Sequence, residues 1–304
     1  MTAGLLRTVA GRRGVRSREH VEAYVFLLPW ILGFLAWTLG PMLTSAGLAF
    51  TDYQILLAPK WVALENFRHM LEDELFVKAL GNTAFYTFIG VPLQITVALV
   101  AAMALNRQVR GVSIYRTAFY LPSLTPAVAN AMMWLWLLNP EFGLANALLR
   151  AVGLPPQRWF MDVKLAKPSM IIMSLWGIGG QMIIFLAGLQ GIPDLYYEAA
   201  RVDGARNWHM LRHITVPLLS PSIFFNAVVS IIGSFQVFTT AFVATGGGPQ
   251  NATLFYVLYL YRNGFQYFKM GYASALAWVL FVIILGFTLL QFRVGRYWVY
   301  YEVE

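Results

Sequence analysis

Three side chains spaced four apart, Asn226, Ser230 and Ser234, lie in a stretch from His213 to Tyr261 that holds no Lys, Arg, Asp or Glu. On a helix that spacing sets them along one face. Gly233 stands beside the last of them, and Gln236, Thr239 and Thr240 follow. A second strip of small and polar residues, Ser174, Gly177, Gly180 and Gln181, contains Trp176. Hydroxyls and amides donate and accept hydrogen bonds without titrating. They suit a hydroxylated solute such as a sugar, and an indole suits the apolar face of a pyranose. The same small polar residues also pack helices against one another in membranes, so both readings stay open for Ser230, Ser234, Asn226, Gln236, Trp176, Gly177 and Gln181.

Covalent chemistry finds little to work with. The chain has no cysteine, and His20, His69, His209 and His213 are scattered without metal-ligand spacing. No Gly-x-x-x-x-Gly-Lys-Ser/Thr loop occurs, so the P-loop mode of ATP binding is excluded. A membrane enzyme would need converging carboxylates or histidines, and a proton-coupled carrier would need acids inside its spans. The charge-free windows hold no acid for either. No catalytic residue and no metal site are expected, and no cofactor on this chain.

The elements that must position these residues follow from where charge is absent. The 304 residues are 59% hydrophobic and 12% charged, half the charge of an ordinary soluble domain. Mean hydropathy is +0.61. Windows without Lys, Arg, Asp or Glu run from Ala23 to Thr51, Ala79 to Asn106, Thr117 to Pro140, Pro168 to Pro193, His213 to Tyr261 and Met270 to Phe292. Each holds the roughly 20 residues that a helix needs to cross a bilayer. The tail of the fifth, Thr245-Gly246-Gly247-Gly248-Pro249, breaks helical geometry and reads as an external loop. The prediction is an all-α polytopic membrane protein with six transmembrane helices, near 24–50, 80–105, 117–138, 169–190, 217–243 and 272–292.

Charge also sets the expected orientation. With the N-terminus inside, thirteen of the 22 Lys and Arg residues fall on the inner side, consistent with both termini in the cytoplasm. Residues 1–23 and 293–304 read as cytoplasmic tails. The Arg-rich start, Arg7 to Arg18, suits anionic lipid, and its following apolar stretch is too long for a cleaved signal peptide. The net charge of +8 forms no patch interleaved with aromatics, so nucleic acid is not expected. Asp52, Glu65, Glu72, Asp73 and Glu74 make an acidic first external loop, read as a solvated face. No repeat with paired broken helices is visible, and six spans are half the usual secondary-transporter machinery. The chain is expected to supply part of a pore.

Between the fourth and fifth windows, residues 191–216 read as two short surface helices. Pro193 and Asp194 suit a helix start, Ala199 and Ala200 leave room for a close neighbour, and Gly204 tolerates the turn between them. Glu198-Ala199-Ala200, then Gly204, Ile214 and Pro217, resembles the EAA loop of ABC importer permeases, with Val216 where leucine is usual. Asp203-Gly204-Ala205 makes it look most like the carbohydrate class, the maltose and glycerol-phosphate type.

Further blocks share the resemblance: Phe50-Thr51-Asp52-Tyr53, Glu65-Asn66-Phe67 (with Ala63 where glycine is usual), Arg116 with Leu121-Pro122, the Thr245–Pro249 loop, and Gly271-Tyr272-Ala273-Ser274-Ala275. The C-terminal ending typical of the partner permease is missing, which points to the first-subunit type. The resemblance implies a cytoplasmic coupling helix between helices 4 and 5, with Glu198, Ala199, Ala200, Asp203 and Gly204 against a separate ATPase. It implies two such ATPase subunits that bind ATP and Mg, a second homologous permease subunit, an extracytoplasmic solute-binding protein, and a sugar or sugar-like substrate. It also raises Ser230 and Ser234 as substrate contacts, and it places the chain in a bacterial or archaeal cytoplasmic membrane.

Overall fold

The computed structural model describes residues 22–107 and 110–300. The expected N-terminal tail, His20 and the end of the C-terminal tail therefore lie outside the described residues or nearly so.

Helices dominate. Helix α1 (Glu22–Leu48) leads into a two-strand hairpin, β1 (Thr51–Asp52) and β2 (Lys60–Trp61), paired antiparallel with Thr51 opposite Trp61. This hairpin and an isolated antiparallel bridge between Gln54 and Lys269 depart from an all-helical chain. Helix α2 (Glu65–Glu72) follows, then the long α3 (Glu74–Leu105). Its start is fixed by Asp73, whose Oδ1 accepts from the backbone N–H of Leu75 at 2.9 Å and Phe76 at 3.4 Å. At 1.5 Å per residue, its 32 residues span about 48 Å, more than the hydrocarbon core.

The third window does not form one continuous helix. It divides into α4 (Val112–Tyr120), a 3₁₀ turn over Leu121–Leu124 and α5 (Ala127–Leu137). Pro122 and Pro126 flank the break, and each removes a backbone donor that a continuous helix would need. A short helix, α6 (Leu144–Ala151), precedes the fourth window. That window is bent by 47° between α7 (Ala166–Leu175) and α8 (Gly179–Gln190). The break is the Trp176–Ile178 segment, centred on Gly177.

Helix α9 (Asp194–Val202) is followed by α10 (Asn207–Leu218), which turns by 63° into α11 (Ser220–Phe235). The fifth window breaks again at Gln236–Phe238 before α12 (Thr239–Ala244). Helix α13 (Tyr256–Tyr261) and the long α14 (Met270–Trp298) complete the chain. By length and composition, α1, α3 and α14 can each cross a membrane alone, and the two bent pairs bring the number to five.

Two apolar clusters form around α3, one at each end. Phe76, Ala79 and Tyr86 meet Met170, Phe235, Tyr256 and Leu276 near the Asp73 end. Ala98, Ala102 and Leu105 meet Met182, Phe185, Leu189 and Leu219 near the Leu105 end. Small residues let helices approach at these crossings. A Cβ on Gly179 would lie 2.7 Å from Phe119 O and 2.8 Å from Tyr120 Cα.

Candidate coupling loop and translocation cavity

The loop begins at the Leu105 end of the bundle. Pro193 precedes α9 in an extended conformation, and Asp194 places its carboxylate in the first turn. The helix ends in a Schellman motif: Ala205 N–H donates to Ala200 O at 2.9 Å and Gly204 N–H to Arg201 O at 3.0 Å. Gly204 has φ +78, a left-handed conformation that glycine adopts without steric cost. The Tyr197 and Thr215 hydroxyls, 3.0 Å apart, tie α9 to the end of α10.

No residue of α9 is buried. Leu195, Glu198, Ala199 and Val202 share one face by their i, i+3, i+4, i+7 spacing, and all four are exposed. Leu195 and Val202 show 71% and 88% of their surface, so this apolar and acidic face is left uncovered by the described residues. Asp203 caps the helix and is also exposed. From here α10 leads to the 63° turn at buried Leu219. Ser220 Oγ holds that turn, donating to Pro217 O at 2.6 Å and accepting from Tyr300 N–H at 2.8 Å.

The polar strips from the sequence meet at a cavity of about 260 Å³. Gln181 of α8 and Ser230, Gly233 and Ser234 of α11 line it, as do Ser174 of α7 and Tyr86 and Gln94 of α3. Gln181 Nε2 donates to Ser230 Oγ at 2.6 Å, and Gln94 Nε2 to Ser174 Oγ at 2.8 Å. Ser234 Oγ is committed to the wall, 2.9 Å from both Thr87 Oγ1 and Ile231 O. Gln181 Oε1 is buried and has no partner. That acceptor and the Ser230 hydroxyl proton are among the open hydrogen-bonding groups of the cavity.

The other candidate residues lie elsewhere. Asn226 is buried and donates Nδ2 to Ser222 O of its own helix at 3.0 Å. Gln236 lines a separate, mostly apolar cavity of about 390 Å³ with Leu260, Leu280 and Phe281. Trp176 sits at the α7–α8 break, 47% exposed and edge-on to Trp134 at 6.4 Å between ring centroids, with Gly177 beside it. Tyr86 and Gln94 were not singled out by sequence. They share their window with Asn82, Thr83, Thr87 and Thr96, so polarity and spacing alone did not set them apart.

A family model described as the binding-protein-dependent transport system inner membrane component matches residues 94–297, which include the coupling loop and most of the cavity wall. The chain belongs to that family. Among curated relatives, this permease is 44% identical to the probable ABC transporter permease protein YesP of Bacillus subtilis, over 95% of each chain. It is 32% identical to the arabinooligosaccharides transport system permease protein AraP of Bacillus subtilis, over 94% of this chain and 92% of that one. In structure it resembles a chain of a bacterial alginate ABC transporter crystallised in complex with an alginate pentasaccharide-bound periplasmic protein. The TM-score is 0.81 at 25% identity, covering 92% of this chain and 95% of that one. The permease is thus a membrane-embedded transport component of a family that is not an enzyme family.

Proposed function

We propose that the permease forms half of the translocation pathway of an ATP-driven sugar importer and couples it to cytoplasmic ATPase subunits through α9. The observation that carries the reading is the convergence of Gln181 and Ser230 on a cavity lined by uncharged polar groups. Its walls offer hydroxyls and amides, the groups that exchange hydrogen bonds with sugar hydroxyls. The names of the relatives, one for arabinooligosaccharides and one for alginate, support a saccharide substrate.

Glu198, Ala199, Ala200, Asp203 and Gly204 present the coupling surface. Supporting this is an exposed helix face at the far end of the bundle from Asp73, joined to the cavity through α10 and α11. In this reading the chain crosses the membrane six times, with α4 and α5 together as the third crossing and α9 and both termini on the cytoplasmic side. A second, different permease subunit completes the pore. Two ATPase subunits supply ATP and Mg chemistry, and an extracytoplasmic binding protein delivers the sugar.

The test is co-reconstitution of the permease with its neighbouring permease, ATPase and binding protein in vesicles. ATP-dependent sugar uptake should require all four. Uptake by the permease alone, or Glu198→Lys with unchanged ATPase docking and coupling, would overturn the proposal.

A further inference from the structure

Three cations gather at the Asp73 end of the bundle without an anionic partner. Lys78 Nζ donates to Gln250 O at 2.7 Å, Lys167 Nζ donates to Asn82 Oδ1 at 3.1 Å, and Arg262 Nη2 donates to Gly246 O. All three close on one loop, Thr245 to Leu254, because Asn82 itself donates Nδ2 to Asn251 O at 2.9 Å and Leu254 O at 3.1 Å. Among the described residues the one ion pair is Arg68 with Glu72. The three cations are therefore held by neutral oxygens. Asp73, the acid that begins the same helix, is already engaged by the hydroxyls of Tyr259 and Tyr272.

Lys167 is the most telling of the three. It is half-buried, and beyond Asn82 its ammonium faces the Phe85 ring, 4.9 Å from the centroid. A lysine has three donors, so capacity is left over. Holding a half-buried cation without an anion is costly. Lys167 and Ser174 are seven residues apart on α7, which puts them on one helix face about 10 Å apart. Ser174 is in the wall of the cavity. Lys167 thus lies about 10 Å along α7 from the cavity wall at Ser174, on the same helix face.

We infer that Lys167, flanked by Lys78 and Arg262, reads a carboxylate on the incoming sugar, so that the substrate is an acidic, uronate-bearing oligosaccharide. The inference rests on the sugar-import reading above. It divides the recognition: sugar hydroxyls exchange hydrogen bonds with Gln181 and Ser230, and the carboxylate replaces the Asn82 amide oxygen at Lys167. The ammonium then meets a full opposite charge in place of an amide dipole, which strengthens the bond further.

The experiment uses the complete transporter in phosphatidylcholine vesicles, with trigalacturonic acid, alginate trisaccharide, their methyl esters, and neutral arabino- and maltotrioses as probes. Lys167→Met should lower the ratio of acid to methyl-ester uptake about tenfold, Lys167→Arg should restore it, and exposed Lys164→Met should leave it unmoved. Uptake of neutral sugars alone would overturn this inference and leave the importer standing. Uptake of no sugar at all would overturn both. An equal loss of acid and ester in Lys167→Met would make the lysine a packing residue. A loss confined to vesicles containing phosphatidylglycerol would assign the ammonium to a lipid headgroup. Either result would overturn the inference.

Discussion

Gln181 Nε2 donates to Ser230 Oγ across 2.6 Å between α8 and α11, and its other head atom, Oε1, is buried without a partner. An unmet buried acceptor costs roughly 1–3 kcal/mol. A solute hydroxyl donated to that oxygen would remove the cost, and this is the basis on which the pair is proposed to bind sugar. Ser230→Leu should fill the cavity, raise KM and lower sugar uptake more than about tenfold, with the subunits still assembling. Uptake assays beside pull-down of the ATPase check this. Unchanged uptake kinetics would remove Ser230 from the route.

Ser234 should behave differently, although it lines the same cavity. Its hydroxyl is spent on Thr87 at 2.9 Å. Such interhelical bonds are worth about 0.6–1.7 kcal/mol in membranes. Ser234→Ala is expected to lower the thermal midpoint of the purified permease complex while KM stays put. A changed KM with an unchanged midpoint would contradict this.

Gly204 holds φ +78 at the end of α9. A branched side chain there should cost about 1–2 kcal/mol locally and open the Schellman turn. Gly204→Val should therefore weaken the ATPase stimulation that loaded binding protein produces. Gly81→Ala is the control, since a Cβ there meets nothing within 4 Å. Equal stimulation in both variants would place the coupling elsewhere.

The cap of α3 should make stability depend on pH at both extremes. Burial raises the Asp73 carboxyl, but hydrogen bonds from Tyr259, Tyr272, Leu75 N–H and Phe76 N–H outweigh it and hold it below the usual carboxylate value. A depressed acid stabilises the fold fully above its unfolded pKa, near 3.9, and loses that contribution as pH falls through the native value. Tyr259 is pushed up to about 12, by burial first and then by Asp73. Its contribution is complete below the ordinary value of about 10 and is lost as pH rises through the native one. Thermal melts should be flat across neutral pH, with an acid limb that Asp73→Asn reduces. An unaltered acid limb would show that other groups carry it.

Packing at the α4–α8 crossing gives a fifth expectation. Because a Cβ on Gly179 would press on backbone atoms of Phe119 and Tyr120, not on a movable side-chain tip, Gly179→Ala should lower yield and midpoint. Gly180→Ala, in open space one residue along, should not.

Much of this was readable from one dimension. Charge-free windows mark membrane helices because a backbone in hydrocarbon must satisfy its own hydrogen bonds. The turn at Gly204 follows from a residue type that tolerates a left-handed backbone. Less readable were the breaks. Pro122 and Pro126 announce one of them, but the bend at Gly177 and the gap at Gln236–Phe238 come in segments without proline, and tertiary packing supports them.

The sequence by itself determined that the chain is a mostly helical, apolar membrane component, where the exposed loop lies and which residues can exchange hydrogen bonds. Helical periodicity fixes the face of a residue relative to its own helix. It does not say what that face meets. Only the tertiary structure decided that Gln181 meets Ser230, forty-nine positions away, that Ser234 is spent on Thr87, and that Asn226 bonds within its own helix. It also brought Tyr86 and Gln94 of α3 to the same cavity. The reason is geometric: each broken helix re-aims its second half, so the partner of a polar side chain is set by the angle between helices and not by the spacing along one.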